Sequence, residues 1–150
     1  MRLVIQRVSE ASVRVDGECI AGIGHGLLVL VGVENGDTEQ DAAWLAAKTA
    51  ALRIFDDENG VMNRSVVDAD GGLLAVSQFT LTASTRKGNR PSYIRAAGHG
   101  LAVPLYERYC QLLSEAAGRP VLRGRFGADM KVSLLNDGPV TIIIDSRLKE

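Results

Sequence analysis

The sequence predicts an α+β fold in one domain. Three observations lead there. Apolar runs of strand length recur between turn signals. Two segments carry apolar residues at helical spacing. The chain has 150 residues, of which 46 % are hydrophobic, enough for one proper core. The pattern counts to about seven or eight strands and two main helices, strands and helices mixed rather than strictly alternating.

Residues 2–8 and 12–15 read as two short strands, with Val13 and Val15 alternating against polar neighbours. Asp16-Gly17 is a hairpin-turn signal. "GLLVLVGV", residues 26–33, is a continuous apolar run bounded by glycines, which predicts a strand buried on both faces. In "DTEQDAAWLAAKTAALRIF", Thr38 with Asp41 resembles a capping box, and six alanines with Leu45 and Leu52 favour a helix through about residue 52. Trp44 is assigned to packing that helix down. "DDENG" (56–60) and "DADGG" (68–72) are turns, and "LLAVSQFTL" (73–81) is strand-like. Residues 82–100 are polar and Gly-rich without a period. Leu101, Leu105, Tyr109, Leu112, Leu113 and Ala116 form the apolar stripe of a second helix over 101–117, with Pro104 placed in its first turn and Gly118 as its stop. "PVLRGRFG", "MKVSLLN" and "VTIIID" are three further strands. Between the last two stands Gly138-Pro139, although proline cannot donate to a ladder and central strands usually exclude it. No repeat, linker or low-complexity segment interrupts this order.

Composition excludes several function classes. The net charge of −1 provides no global field for nucleic acid or membrane. Cys19 and Cys110 are far apart, without a Cys-x-x-Cys, so neither a disulfide framework nor a zinc site is expected. His25 and His99 are the only histidines and read as turn or cap residues rather than general bases. The charged N-terminal stretch is neither a signal peptide nor a membrane span, and a cytoplasmic setting is expected. No G-x-S-x-G, G-x-G-x-x-G or P-loop occurs, and Asp56, Asp57 and Glu58 read as a solvated turn.

"SQFTLTASTRKGNRPSYIR", residues 77–95, is less ordinary. Hydroxyls at Ser77, Thr80, Thr82, Ser84 and Thr85 are followed by Arg86, Lys87, Arg90 and Arg95, and no acidic residue occurs between Asp70 and Glu107. Each hydroxyl alone is ordinary strand-edge chemistry, and four charges alone are ordinarily a solvated loop. Interleaved with Gly88, Pro91 and Tyr93, they can bring amides, guanidinium forks and a ring to phosphates and bases. Arg119, Arg123 and Arg125 form a second, weaker basic cluster.

"SQFTL" (Ser77 to Leu81) together with "NDGPVT" (Asn136 to Thr141) resembles the paired signature of the D-aminoacyl-tRNA deacylase family. "IQRV" (5–8), "GLLVLVGV", "RIFDDENGVMN", "KGNRPSY" and "GRFGADMKVSLLNDGPVT" are similar to that family's sequences in order, so the likeness runs from Met1 to about Ile144. The tail "DSRLKE" lies outside it and is assigned nothing.

The resemblance implies a mainly antiparallel or mixed, barrel-like sheet in a homodimeric hydrolase. Such an enzyme cleaves the ester of D-aminoacyl-tRNA, and of glycyl-tRNA(Ala), in translation quality control. It needs no cofactor or metal and engages neither DNA nor membrane. Ser77, Gln78, Phe79 and Thr80 would form the catalytic segment. Main-chain N–H groups around Phe79 and Thr80 would meet the charge developing on the carbonyl oxygen, with Thr80 positioning substrate. Gly138 and Pro139 would form a Gly-cis-Pro unit entering the partner subunit's site and rejecting L-aminoacyl groups by backbone contact. Arg7 would brace that unit, with Met130, Asn136 and Thr141 in support. Arg86, Lys87, Arg90 and Pro91 would hold tRNA. For an isolated Asp-Gly-Pro the ordinary reading is a trans-proline turn, and for Arg7 a strand-edge charge. Two rival functions stay open at this level: a non-catalytic RNA-binding module, and a small-molecule acyl-ester hydrolase that ignores RNA.

Overall fold

The computed structural model describes residues 1–150. Eight strands and two α-helices run in the order β1 (Arg2–Val15), β2 (Glu18–Ile23), β3 (Gly26–Gly32), α1 (Glu39–Ala51), β4 (Phe55–Asp56), β5 (Met62–Arg64), β6 (Gly72–Ser77), a 3₁₀ turn (Phe79–Thr82), α2 (His99–Ala117), β7 (Leu122–Arg123) and β8 (Lys131–Asp145).

The long strand β1 organises a mixed, barrel-like sheet. One edge of β1 pairs with β3 along Arg2–Val8 and with β2 along Ala11–Val15, and its other edge pairs antiparallel with β8. β3 then pairs parallel with β6, and β6 parallel with β7. Parallel neighbours need crossovers, and α1 and α2 lie in those two connections. β4 and β5 form a separate hairpin around the 56–60 turn.

The core follows from alternation. Leu3 and Ile5 of β1, with Leu27, Val29 and Val31 of β3, point to one face and meet Leu45 and Ala46 of α1 and Leu105, Tyr109 and Leu113 of α2. Leu28, Leu74 and Val76 point to the other face and are covered with Val8, Ala11 and Val13 as the sheet curls. That is why 26–33 reads as continuously apolar. Tyr109 is fully buried at the junction of the helices. Thr49 donates its hydroxyl to the Leu45 carbonyl, so the Tyr109 hydroxyl donates to Thr49 at 3.0 Å. Tyr106 donates to the Ala75 carbonyl at 3.0 Å and ties α2 to β6. Burial pushes both phenols up from their ordinary range.

Several elements differ from the sequence expectation. Residues 2–8 and 12–15 are one strand, because pairing with β8 carries β1 through the exposed Ser9 and Glu10 from its β3 partner to its β2 partner. The strand expected over 73–81 ends at Ser77, and Phe79–Thr82 is a 3₁₀ turn. The turn folds over Gly32, where a Cβ would lie 2.9 Å from the Leu81 Cβ and 3.2 Å from the Gln78 carbonyl oxygen. α2 begins at His99, so Pro104 sits in its second turn rather than its first. Its buried face is Ala102, Leu105, Tyr106, Tyr109, Cys110, Leu113 and Ala117; Leu101 and Ala116 of the expected stripe are exposed. Trp44 is only half-buried, with the Lys48 and Lys149 ammonium groups 5.3 and 4.6 Å from its ring centroid. The last two expected strands are one, β8, and β7 is only Leu122–Arg123.

Candidate active site

Gly138-Pro139 escapes the rule against proline in strands because it does not join the ladder. Gln6 pairs with Thr141 and Val8 with Asn136, so residues 137–140 all stand opposite Arg7. β8 bulges there and lifts the Gly-Pro unit off the sheet. The Gly138–Pro139 peptide bond is cis, and both residues are exposed.

The bulge is braced from beneath. Arg7 is 8 % exposed; its Nε donates to the Asp137 carbonyl at 3.1 Å and its Nη1 to the Ile54 carbonyl at 2.7 Å. Asp56 and Asp137 carboxylates lie 3.5 Å from the same guanidinium. Arg7 is therefore a buried bracket, not a strand-edge charge. The Asn136 amide closes the neck of the bulge, donating to the Arg7 and Val140 carbonyls at 3.0 Å each. Thr141 donates to Asn136 Oδ1 at 3.4 Å.

Ser77–Thr80 lies elsewhere. Gln78 N–H donates to the Val31 carbonyl at 2.7 Å, the last ladder bond before the chain turns. The turn's own bonding begins with Leu81 N–H to the Gln78 carbonyl. The N–H groups of Phe79 and Thr80 precede it and emerge at its N-terminal end. Gln78 Nε2 bonds Thr80 Oγ1 at 2.6 Å. A carboxamide takes no proton at neutral pH in either orientation, so it cannot serve Thr80 as a general base.

Beside this segment a cavity of about 520 Å³ opens, lined mostly by apolar groups. Ser77, Gln78 and Phe79 form one wall, Met130 another, and His99, Tyr106 and Phe126 a third. His99 begins α2 and meets Phe126 edge-on at 5.4 Å between ring centroids. Sequence reasoning missed His99 and Phe126, because nothing local relates the start of α2 to the end of β6. No group of three or more His, Cys, Asp or Glu is arranged to hold a metal ion. Cys110 is buried, its thiol pushed up to about 11, and Cys19 is exposed.

The basic stretch divides. Ser84 and Ser92 exchange two backbone bonds of 2.9 Å and close a loop carrying Arg86, Lys87, Arg90 and Pro91 into solvent. None of those three cations takes part in an ion pair. Arg95 turns inward instead, donating to the Thr82 carbonyl at 3.1 Å. Arg119 is likewise occupied with the Gly71 carbonyl and Asp70. The second basic cluster is therefore reduced to Arg123 and Arg125.

Within one chain the two motifs do not meet. Ser77 lies beside Val31, Leu3 and Ile144 in successive strands, whereas the bulge lies at the level of Arg7, Leu27 and Leu73. Measured along the sheet, three strand spacings across and four residues along separate them by roughly 20 Å.

Residues 4–145 match the family described as D-Tyr-tRNA(Tyr) deacylase. Proteins called D-aminoacyl-tRNA deacylase from Parabacteroides distasonis and Phocaeicola vulgatus are 61 % and 59 % identical to the chain, over the whole of both chains. A solved structure described as a c-Myc DNA Unwinding Element Binding Protein superposes with a TM-score of 0.92 at 40 % identity, covering 97 % of this chain and 98 % of its own. One of a probable eukaryotic D-amino acid tRNA deacylase shares the fold, with a TM-score of 0.80 at 17 % identity over 95 % of this chain and 97 % of its own.

Proposed function

The chain belongs to the D-Tyr-tRNA(Tyr) deacylase family and is an enzyme that hydrolyses the ester of D-aminoacyl-tRNA; from that premise we propose how its residues do so. The enzyme acts as a homodimer in which Gly138-Pro139 of each protomer completes the site built on Ser77–Thr80 of the other. One observation carries this reading. The Gly-Pro unit is rigidly bracketed by Arg7 and Asn136 yet presented to solvent, too far from Ser77–Thr80 of its own chain to serve it.

An aminoacyl ester next to a ribose hydroxyl is already a reactive acyl group. It needs donors placed where charge develops on the carbonyl oxygen. The Phe79 and Thr80 N–H groups at the open end of the turn supply them. A water, oriented by the 2′-hydroxyl of the tRNA, attacks the carbonyl carbon. The ester bond then breaks to free amino acid and tRNA. Thr80, with its hydroxyl bonded to a carboxamide, positions substrate rather than attacking it. The backbone of the Gly138-Pro139 bulge approaches the α-carbon, where an L side chain meets main chain and a D side chain points away. Glycine has no side chain to collide, so glycyl-tRNA(Ala) is also a substrate. Rejection by main chain ignores side-chain identity, which lets one site serve many D-amino acids. Arg86, Lys87 and Arg90 hold tRNA phosphates or the terminal nucleotides beside Pro91.

The test follows ester loss from matched D- and L-tyrosyl-tRNA, with free D-tyrosine esters as a control. Loss from the D-form of the tRNA alone is expected. Equal loss from D- and L-forms, or equal activity on free esters, would defeat the stereochemical or the RNA part of the reading.

A further inference from the structure

The donors proposed for catalysis sit at one end of a turn of four residues, Phe79–Thr82. So short a 3₁₀ segment has little cohesion of its own. Its other end is held by two arginines from distant parts of the chain. Arg2 Nη1 donates to the Leu81 carbonyl at 2.8 Å. Arg95 donates through Nη2 to the Thr82 and Ala83 carbonyls at 3.1 and 3.3 Å. Cations at the carbonyl end of a helical turn also complement its dipole.

Both arginines are themselves anchored by acidic groups, and the C-terminal tail supplies much of that anchorage. Asp145 Oδ2 accepts from Arg2 Nη2 at 2.9 Å and Nε at 3.1 Å. Asp145 Oδ1 accepts the Arg147 N–H at 2.9 Å. The Arg147 guanidinium pairs with Asp37 Oδ1 and Glu34 Oε2, each at 3.1 Å, and donates to the Asn35 carbonyl. Asp37 also holds the buried Met1 ammonium at 2.7 Å. Glu34 is 4 % exposed; its other oxygen, Oε1, has no hydrogen-bond partner and faces Arg95 Nη1 at 4.0 Å. None of Arg2, Arg95, Asp145 and Arg147 lines the 520 Å³ cavity, so none is placed to touch substrate there.

We propose that Arg2 and Arg95 are positioning residues, which aim the Phe79 and Thr80 N–H groups by clamping the Leu81, Thr82 and Ala83 carbonyls, and that Asp145 and Arg147 of the tail act through them. The proposal rests on the reading that those N–H groups are the catalytic donors. It assigns a role to Asp145, the last residue of β8 and of the family match, and to Arg147 just beyond it.

The test uses full-length Arg2→Lys, Arg95→Lys and Asp145→Asn. Lysine keeps the charge, and with it the field felt by tRNA, but a single ammonium cannot bridge Asp145 and the Leu81 carbonyl as the guanidinium fork does. Deacylation of D-tyrosyl-tRNA is measured with amide hydrogen exchange of the 78–83 segment and of β3. Removing a whole oxyanion donor costs roughly a hundredfold or more in kcat, so misaiming it should cost about tenfold. The expected result is that kcat loss, with KM within about twofold, D-over-L preference kept, and faster exchange at Leu81 and Ala83 while β3 is unchanged. Arg2→Lys and Asp145→Asn combined should cost no more than the larger single loss. Unchanged exchange at Leu81 and Ala83 would overturn the clamp, as would a loss confined to KM. Faster exchange with unchanged kcat would leave the clamp standing and overturn its part in catalysis. A parent enzyme inactive on D-tyrosyl-tRNA would count against the functional reading instead, and exchange alone would then decide whether the clamp exists.

Discussion

Position 138 leaves no room for a side chain. A Cβ built there lies 2.9 Å from Arg7 Nη2 and 2.9 Å from Val140 Cγ2, and φ is 123°, a conformation L residues rarely adopt. Gly138→Ala must shift either the bulge or its bracket. Deacylation of D-tyrosyl- and glycyl-tRNA should both fall at least about tenfold, a barrier change of only about 1.4 kcal/mol. Assays of purified protein that still folds would check this. Thr80→Ala should keep hydrolysis within about tenfold, since the carboxamide of Gln78 supplies Thr80 with no base. Complete loss there, with Thr80→Ser active, would make the hydroxyl the nucleophile. Asp37 faces the Met1 ammonium with both groups fully buried. Asp37→Ala would leave that ammonium without its carboxylate, and about 3 kcal/mol of stability should go, read by urea unfolding. The Gly-Pro pair was visible in the sequence because glycine frees the backbone and proline restricts it. Arg95 was not, since in the sequence it reads as the last charge of the basic 86–95 stretch, and its partners, Thr82 and Glu34, are not adjacent to it.

The loop carrying Arg86, Lys87 and Arg90 is tied at its base by the Ser84–Ser92 bonds and holds its charges away from every carboxylate. Replacing all three with Ala should weaken tRNA binding and reduce the slope of log affinity against log salt by about two, near 0.7 for each single-strand phosphate left without its cation. An unchanged slope would make the loop mere solvated surface. In the tail, burial raises the Asp145 carboxyl, but the Arg147 N–H and the Arg2 guanidinium outweigh it and hold it below the ordinary carboxylate range. A depressed folded value stabilises above the unfolded pKa of about 3.9, and that contribution disappears as pH falls through the folded value. Asp145→Asn should therefore melt below the parent at neutral pH, with the gap closing under about pH 4 in thermal scans. Elements were misread where a distant glycine or a packing face decided the outcome. The β-prone Phe79, Thr80 and Leu81 continue β6 by their own pattern, and Gly32 on β3 makes room for the turn that replaces it. Leu101 keeps the spacing of the α2 stripe but falls beyond the face that the core covers.

At the scale of the whole molecule, the bulge and its strand present surface that one chain does not use. Leu134, Leu135 and Ile143 of β8 are 38 %, 57 % and 64 % exposed, flanking Gly138-Pro139. A two-fold interface over such residues would bury them and create two equivalent sites. Sedimentation should give a dimer at assay concentrations, and a fully active monomer would refute the cross-subunit site. By itself the sequence determined the α+β class, the doubly buried β3, the Asp16-Gly17 hairpin and the stop of α2 at Gly118. Each of these rests on local physics: alternation, spacing, or a residue whose backbone is unusually free or restricted. Only the tertiary structure decided that the two motifs lie apart on one chain, that Arg7 is a bracket, that His99 and Phe126 wall the cavity, and that Arg2 and Arg95 grip the Leu81–Ala83 carbonyls. Those facts depend on which strands become neighbours and in what register, and one residue of slip in β8 against β1 would turn its side chains to the opposite face.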